Sequence, residues 1–355
     1  MNRLIPDYYL DFKCIGSACR DSCCVGWEID IDDESYDDYC SVQGEFGERL
    51  NRCINHTKPY HFMMEGDRCP FLNTDNLCDI FIRLGEEHLC QICTDHPRFY
   101  EIYGGREEAG LGLVCEEAAR LILSNKDKVR FIEEGEKQED KKEDPWLKLL
   151  ETARDRMILL LQERQRPLKS RMTQILSQVS DLQEDYSIQD MKSMSEHIYT
   201  QKTDQADHGQ PADLMAWFCD CIELLQSFEI LTDQWERILK LAAVKAKENS
   251  IIFSDADAVF YEQLMIYFIY RYFLQSFYDY QLLDKIKFAL FGCLVVRGLE
   301  AAVSDYLPAR EIARLFSKEI EYSEENMEAL FEEFLFSGIF ETQTLMNVLS
   351  LVFNC

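Results

Sequence analysis

No apolar run in this chain approaches the roughly 18 residues needed to span a bilayer. The nearest, from Leu264 to Leu274, is interrupted by Arg271 and flanked by Glu262 and Asp279, so it reads as a buried or partner-facing helix and no membrane partner is expected. The opening Met1-Asn2-Arg3-Leu4-Ile5-Pro6-Asp7 has neither an apolar h-region nor a small-residue cleavage site, which makes the cytoplasm the expected compartment. Basic residues are scarce: 37 Lys and Arg stand against 65 Asp and Glu, a net charge of -28. Such a chain repels phosphate backbones and anionic lipid, which argues against nucleic acid and membrane surfaces and leaves a cationic partner open. No repeat of fixed period occurs.

Cysteine is what the chain has instead. Eleven of its 15 cysteines fall in the first 115 residues, and four form one group, Cys14-x4-Cys19-x3-Cys23-Cys24. Cys69, Cys78, Cys90-x2-Cys93 and Cys115 follow. A reducing compartment, an odd cysteine total and a chain long enough to bury a core without staples all argue against a disulfide framework. Inert burial suits scattered single thiols, whereas adjacent and i,i+3 thiols ask for a shared partner. Metal is therefore the expected role of Cys14, Cys19, Cys23, Cys24, Cys69, Cys78, Cys90, Cys93 and Cys115.

Which metal stays open on spacing alone. Structural zinc usually takes two separated Cys-x2-4-Cys pairs, and only Cys90-x2-Cys93 has that form in isolation. Neighbouring Cys23 and Cys24 are awkward for one tetrahedral ion and easier for a larger cluster or two centres. Iron-sulfur clusters take four thiolates from irregular loops, and the first group has Gly16 within it and Gly26 just after it. The radical-type spacing Cys-x3-Cys-x2-Cys is missing, because position 26 is Gly. Nine thiols exceed one cluster's needs, so some must be supporting or belong to a second ion.

A chain of 355 residues exceeds a typical single domain. The expected division is a cysteine-rich metal domain over 1–123, a charged linker or exposed loop over 124–145, and an α-helical domain over 146–355. Leu168, Met172, Ile175, Leu176, Val179 and Leu182 fall on one helix face. Further helices are expected over 146–166, 212–231, 233–247, 256–283, 285–303, 309–320, 324–336 and 342–353, with a long loop over 183–211. The fold class is thus mainly α, with an irregular N-terminal region. The aromatic run from Phe260 to Tyr280 reads as core packing rather than a cage for a cation. Cys219, Cys221, Cys293 and Cys355 read as packed or free thiols, and His56 and His61 as loop histidines. His96, three residues after Cys93, suits a hydrogen bond to a ligand better than direct ligation.

One resemblance is specific. The run Phe12-Lys13-Cys14-Ile15-Gly16-x2-Cys19-x3-Cys23-Cys24-Val25-Gly26-Trp27, then Cys69-Pro70-Phe71-Leu72, Leu77-Cys78-Asp79-Ile80-Phe81, Cys93-x2-His96-Pro97-Arg98-Phe99 and Cys115-Glu116-Glu117-Ala118-Ala119-Arg120-Leu121, resembles the flagellin lysine N-methylase family. More loosely it is similar to the wider zinc- or iron-chelating family with Cys-x2-Cys-x2-Cys-Cys. The likeness is dense over about the first 125 residues and loose over the helical tail. It departs from the wider family in its longer spacing between Cys14, Cys19 and Cys23, and in His96, where an aromatic is common.

The resemblance implies methyl transfer from S-adenosylmethionine to lysine ε-amines of flagellin, with a [4Fe-4S] cluster involved. The sequence identifies neither catalytic nor donor-binding residues, nor an oligomeric state. Its one Gly-x-Gly stretch, Glu108-Ala109-Gly110-Leu111-Gly112, lacks a clear strand-turn-helix setting for a nucleotide, so the donor is expected to bind in another way, such as through an open cluster iron. The rival readings are a non-catalytic zinc- or iron-binding interaction module and a redox or metal-delivery protein.

Overall fold

Arg3–Pro6 (β1) sits inside a four-stranded sheet whose other members come from well beyond the first cysteines. The computed structural model describes residues 2–135, 144–199 and 213–353. After β1 come α1 (Asp33–Ser41), α2 (Gly44–Cys53), β2 (Ile54–Asn55), β3 (His61–Phe62), α3 (Asp79–Arg83) and α4 (Gln91–Asp95). Arg98–Tyr103 (β4), Arg106–Leu111 (β5), Glu116–Leu123 (α5) and Phe131–Glu134 (β6) complete the first part. The helical part runs α6 (Pro145–Leu161), α7 (Leu168–Ser187), α8 (Met191–Tyr199), α9 (Leu214–Ser227), α10 (Asp233–Lys247), α11 (Ala258–Tyr272) and α12 (Ser276–Asp279). It ends with α13 (Leu282–Val303), α14 (Ala309–Phe316), α15 (Glu324–Phe336) and α16 (Thr342–Val352). The protein is mainly α, as expected from the apolar periodicity.

The sheet order is β4-β5-β1-β6, with β1 parallel to β5 and antiparallel to β6. β4 and β5 form a hairpin that turns at Gly104 and Gly105, both with positive φ, the conformation a two-residue turn between twisted strands needs. β6 occupies part of the segment expected to be a linker, while 136–143 lies outside the described residues. The sheet is tied to the helices by Tyr270 on α11, whose hydroxyl lies 2.8 Å from the Leu4 carbonyl and 3.0 Å from that of Ala109. It is also tied by Arg154 on α6, which bonds Glu108 on β5 at two points, both side chains being about 2% exposed.

Two apolar cores result. The larger gathers Ile5, Tyr8, Ala109, Leu111 and the inner faces of α5 to α16 around α13, a helix buried along nearly its whole length against α7, α10, α11 and α14. The smaller contains Ile29, Ile31, Tyr39, Leu50, Ile54, Phe62, Phe71, Leu72 and Ile80, together with Cys69 and Cys90. The stretch from Leu264 to Leu274 is buried apart from partial exposure of Arg271, as ordinary core packing requires.

The loop expected over 183–211 is a correction. α7 continues to Ser187, and α8 follows because the Asp190 carboxylate accepts from the Lys192 and Ser193 amides at its start while Met194 and Ile198 bury one turn apart. Residues 200–211 lie outside the described residues, as does Cys355.

Candidate metal centre

The nine thiols fall into two neighbourhoods. In the smaller lobe, residues 24–26 and 67–69 run side by side: the Cys69 amide donates to the Cys24 carbonyl at 2.8 Å and the Gly26 amide to that of Asp67 at 2.6 Å. Cys78 is brought against the same segment by its bridge to Leu72 and by the Asp79 amide on the Phe71 carbonyl. The Cys90 and Cys93 sulfurs share a hydrogen bond at 3.4 Å. Cys69 and Cys90 belong to the small core, and Cys24, Cys78 and Cys93 pack against it. Burial pushes the Cys69 thiol up to about 12, and Cys24, Cys78 and Cys90 push it the same way. Cys93 is raised by its hydrogen bond to Cys90, then by burial and by Cys90, Cys24 and Cys69.

Cys14, Cys19, Cys23 and Cys115 form the second neighbourhood, at the seam between the N-terminal loop and the helices. Cys115 packs on the larger core; burial raises its thiol to about 11, and Cys19 and Cys14 add to that. Cys23 is raised first by its hydrogen bond with Cys24, then by burial and by Cys24, Cys14 and Cys115. The same bond holds Cys24 down, to about 7. Ion pairs clamp the loop: Arg20 bonds Glu116 at 2.8 Å and Glu311 at 2.9 Å, and Asp21 pairs with Arg314 and, at 3.2 Å, with Lys318.

Three of the thiols stand at helix starts. Cys78, Cys90 and Cys115 are the residues before α3, α4 and α5. Backbone N–H groups act on each: Ile80 and Phe81 on Cys78, Cys93 on Cys90, and Glu117 and Ala118 on Cys115. Burial raises Cys78 and Cys115 and these donors only oppose it, whereas Cys90 is lowered, first by its hydrogen bond with the Cys93 thiol; hydrogen bonds to sulfur also tune iron-sulfur potentials.

Among the described residues, no three Cys, His, Asp or Glu side chains converge as tightly as one metal ion requires. A tetrahedral zinc with Zn–S near 2.3 Å sets its sulfurs ~3.8 Å apart. The Cys90–Cys93 pair, at 3.4 Å, is closer than that. The remaining thiols are gathered without three of them set round one ion, which fits a cluster whose ligands sit on different irons better than a single ion. The donor set is all thiol, borne on loops and helix starts, and so fits iron-sulfur chemistry.

His96 ends α4, where burial holds its imidazole down to about 4 and therefore neutral at pH 7. His56 is bonded to Tyr36 and to the Asn51 carbonyl, and His61 lies 3.7 Å from Glu28. Cys221 and Cys293 are buried and Cys219 is half-buried, in keeping with packing roles.

Sequence reasoning missed a polar network beneath the seam. The Arg271 guanidinium lies between the rings of Phe99, Tyr322, Tyr272 and Tyr267, at 4.8 to 6.0 Å from their centres. Glu321 accepts from Tyr272 at 2.7 Å and Tyr267 at 2.9 Å through one oxygen, while its other oxygen is buried without a partner. Tyr322 packs edge-on against Trp27, with 5.5 Å between ring centres. Trp27 in turn lines a cavity of about 430 Å³ with Gly26, Glu28, Phe62, Met63 and Asp67. A larger cavity, about 720 Å³ between α9, α15 and α16, involves none of the nine thiols.

The Gly-x-Gly stretch does lead from strand to helix, from β5 through 112–115 into α5. Its glycines make room for side chains rather than a nucleotide: a β-carbon at Gly110 would meet the Phe99 ring at 2.3 Å, and one at Gly112 the Tyr322 hydroxyl at 2.0 Å.

Comparison with known proteins places the likeness in the helical part as well. The model of the FliB lysine N-methylase C-terminal domain matches residues 154–348. The chain is 29% identical over 136 residues to lysine-N-methylases of Salmonella choleraesuis (strain SC-B67) and Salmonella typhimurium (strain LT2), covering 36% of this chain and 34% of each relative. It is 28% identical over 141 residues to a flagellar biosynthetic protein FliU of Salmonella muenchen, 38% of this chain and 82% of that one. The match thus spans about a third of the length of the two lysine-N-methylases. No solved structure matches. With more than half of its length matched by the domain model, the chain belongs to the FliB lysine N-methylase family.

Proposed function

We propose that this protein is a protein-lysine N-methyltransferase that moves the methyl group of S-adenosylmethionine to lysine ε-amines of flagellin. The observation that carries this reading is the family match over residues 154–348, in company with relatives named lysine-N-methylase. In the reaction the neutral amine attacks the methyl carbon, the C–N bond forms as the C–S bond breaks, the sulfonium leaves as a neutral thioether, and the new ammonium gives up a proton.

The chain's part is to bring a lysine in and discharge it. Presenting a neutral lysine amine at pH 7 costs about 4.6 kcal/mol, from a reference pKa near 10.4. Glu28 and Asp67, at the cavity beside Cys24 and Cys69, would attract the ammonium, and the Trp27 wall would strip water from it. Lys318, whose Nζ lies 5.5 Å from the centre of the Trp27 ring, pushes a nearby amine the other way, towards its neutral form. A [4Fe-4S] cluster bound by the thiols would supply an iron able to take the amine and carboxylate of an amino acid.

The test is anaerobic purification, metal and sulfide analysis, then incubation with unmodified flagellin and S-adenosylmethionine. Methyllysine found by mass spectrometry is the expected result. A colourless, zinc-loaded chain that leaves flagellin unmodified would instead support the non-catalytic module.

A further inference from the structure

We propose that the nine thiols build two metal centres, one held by Cys14, Cys19, Cys23 and Cys115 and the other by Cys24, Cys69, Cys78, Cys90 and Cys93. This rests on the metal reading above and divides its ligands. Each set has its own scaffold. The first is fastened to the helical part, because Cys115 starts α5, Glu116 beside it takes both the backbone and the side chain of Arg20, and Asp21 is held by Arg314 and Lys318. The second belongs to the small lobe, where Cys24 is laced to Cys69, Cys78 to the Phe71–Leu72 segment, and Cys90 to Cys93.

The sets meet at the Cys23–Cys24 step. Cys19 and Cys14 act on Cys115, and Cys24, Cys78 and Cys90 on Cys69, in keeping with the two scaffolds. Cys23 and Cys24 meet through a hydrogen bond, so this step is where one loop passes from the scaffold of one set to that of the other. Four thiols in one set and five in the other also resolve the excess over the four that a single cluster takes.

The two centres differ in exposure. Cys14 and Cys23 are exposed, so the seam centre is open to a small molecule. Cys69 and Cys90 are buried and no member of the lobe set is exposed. The lobe's core is small, and two of its buried residues are these cysteines, so a metal there closes a fold that apolar burial alone closes poorly. With no three thiols set round one ion, each set suits an iron-sulfur cluster better than zinc, and metal and sulfide analysis tests that.

The experiment is metal and sulfide stoichiometry on the full chain purified anaerobically, with Mössbauer and electron paramagnetic resonance spectra of iron-57-loaded protein. Wild type should hold two centres' worth of metal. Cys14→Ser, Cys19→Ser and Cys115→Ser should each remove one centre and spare the other. Cys69→Ser and Cys78→Ser should do the converse, and Cys19→Ser with Cys69→Ser should remove both. Wild type that fills one centre only, or seam and lobe variants that abolish one and the same signal, would overturn the division. The wild-type stoichiometry decides even where a lobe variant does not fold. These readouts do not involve methyl transfer, so an inactive chain holding two centres would reject the enzyme reading and keep this one.

Discussion

The hydroxyl of Tyr322 fills the space above the α-carbon of Gly112, so that a β-carbon there would lie 2.0 Å from the hydroxyl and 3.3 Å from the Arg271 guanidinium. Tyr322 is not free to swing away, being pinned between Trp27 and Arg271. Gly112→Ala should therefore push the ring into Trp27 and cost about 1–3 kcal/mol, as overpacking does. Urea unfolding and the fluorescence of the tryptophans report both effects. Unchanged stability together with unchanged emission would show that the contact is slack.

Arg154→Met should be among the most damaging single changes outside the thiols. It leaves the Glu108 carboxylate in the seam between sheet and helices with only Arg106, at 2.7 Å, as a cationic partner. Removing one member of a buried pair costs about 3–5 kcal/mol, and removing both charges recovers much of it. Arg154→Met with Glu108→Gln should accordingly be more stable than Arg154→Met alone in the same unfolding assay. A double variant no better than the single one would contradict this reading of the pair.

If Glu28 and Asp67 draw in the substrate lysine, Glu28→Gln and Asp67→Asn should each raise KM for flagellin about 2- to 5-fold, since exposed ion pairs are worth less than 1 kcal/mol. The effect should shrink as salt rises. Trp27→Ala should lower kcat as well, because Trp27 joins the cavity to Tyr322. Equal KM values at low salt would remove the cavity from the account.

His96 supplies a pH dependence. Its imidazole takes a proton near pH 6.5 in the unfolded chain but only at about 4 in the folded one, because burial disfavours the charge. Between those values the unfolded state binds more protons, so stability falls as pH drops from about 6.5 to 4 and gains nothing further from this group above 6.5. The upper limit of the loss is on the order of 3 kcal/mol, less in proportion to the water that reaches the half-buried ring. His96→Gln should flatten that part of the stability profile measured by urea unfolding; an unaltered slope would show the ring titrating normally.

What the sequence made legible was local. The helices expected over 233–247 and 324–336 are found with those bounds, since Thr232 and Ser323 cap them and the apolar stripe fills the rest. The sheet was not legible, because β5 reads Arg-Glu-Glu-Ala-Gly-Leu and becomes a buried strand only when Arg154, far along the chain, meets Glu108. The thiols announced themselves by number and spacing. Arg271, Glu321 and Tyr322 did not: they converge through a π-helical turn at Ser317–Glu321 and a glycine over 200 residues earlier, neither of which leaves a periodic signal. The resemblance was dense around the cysteines, whereas the family model matches the helical part.

The central claim is the transfer itself, and S-adenosylmethionine with a trideuterated methyl group tests it most directly. With the anaerobically purified chain and unmodified flagellin, each methyl gained by a lysine should carry all three deuteriums, because the group moves intact from sulfur to nitrogen. Lysines that remain unmodified in the presence of metal-loaded protein, or that gain methyls without deuterium, would contradict the account.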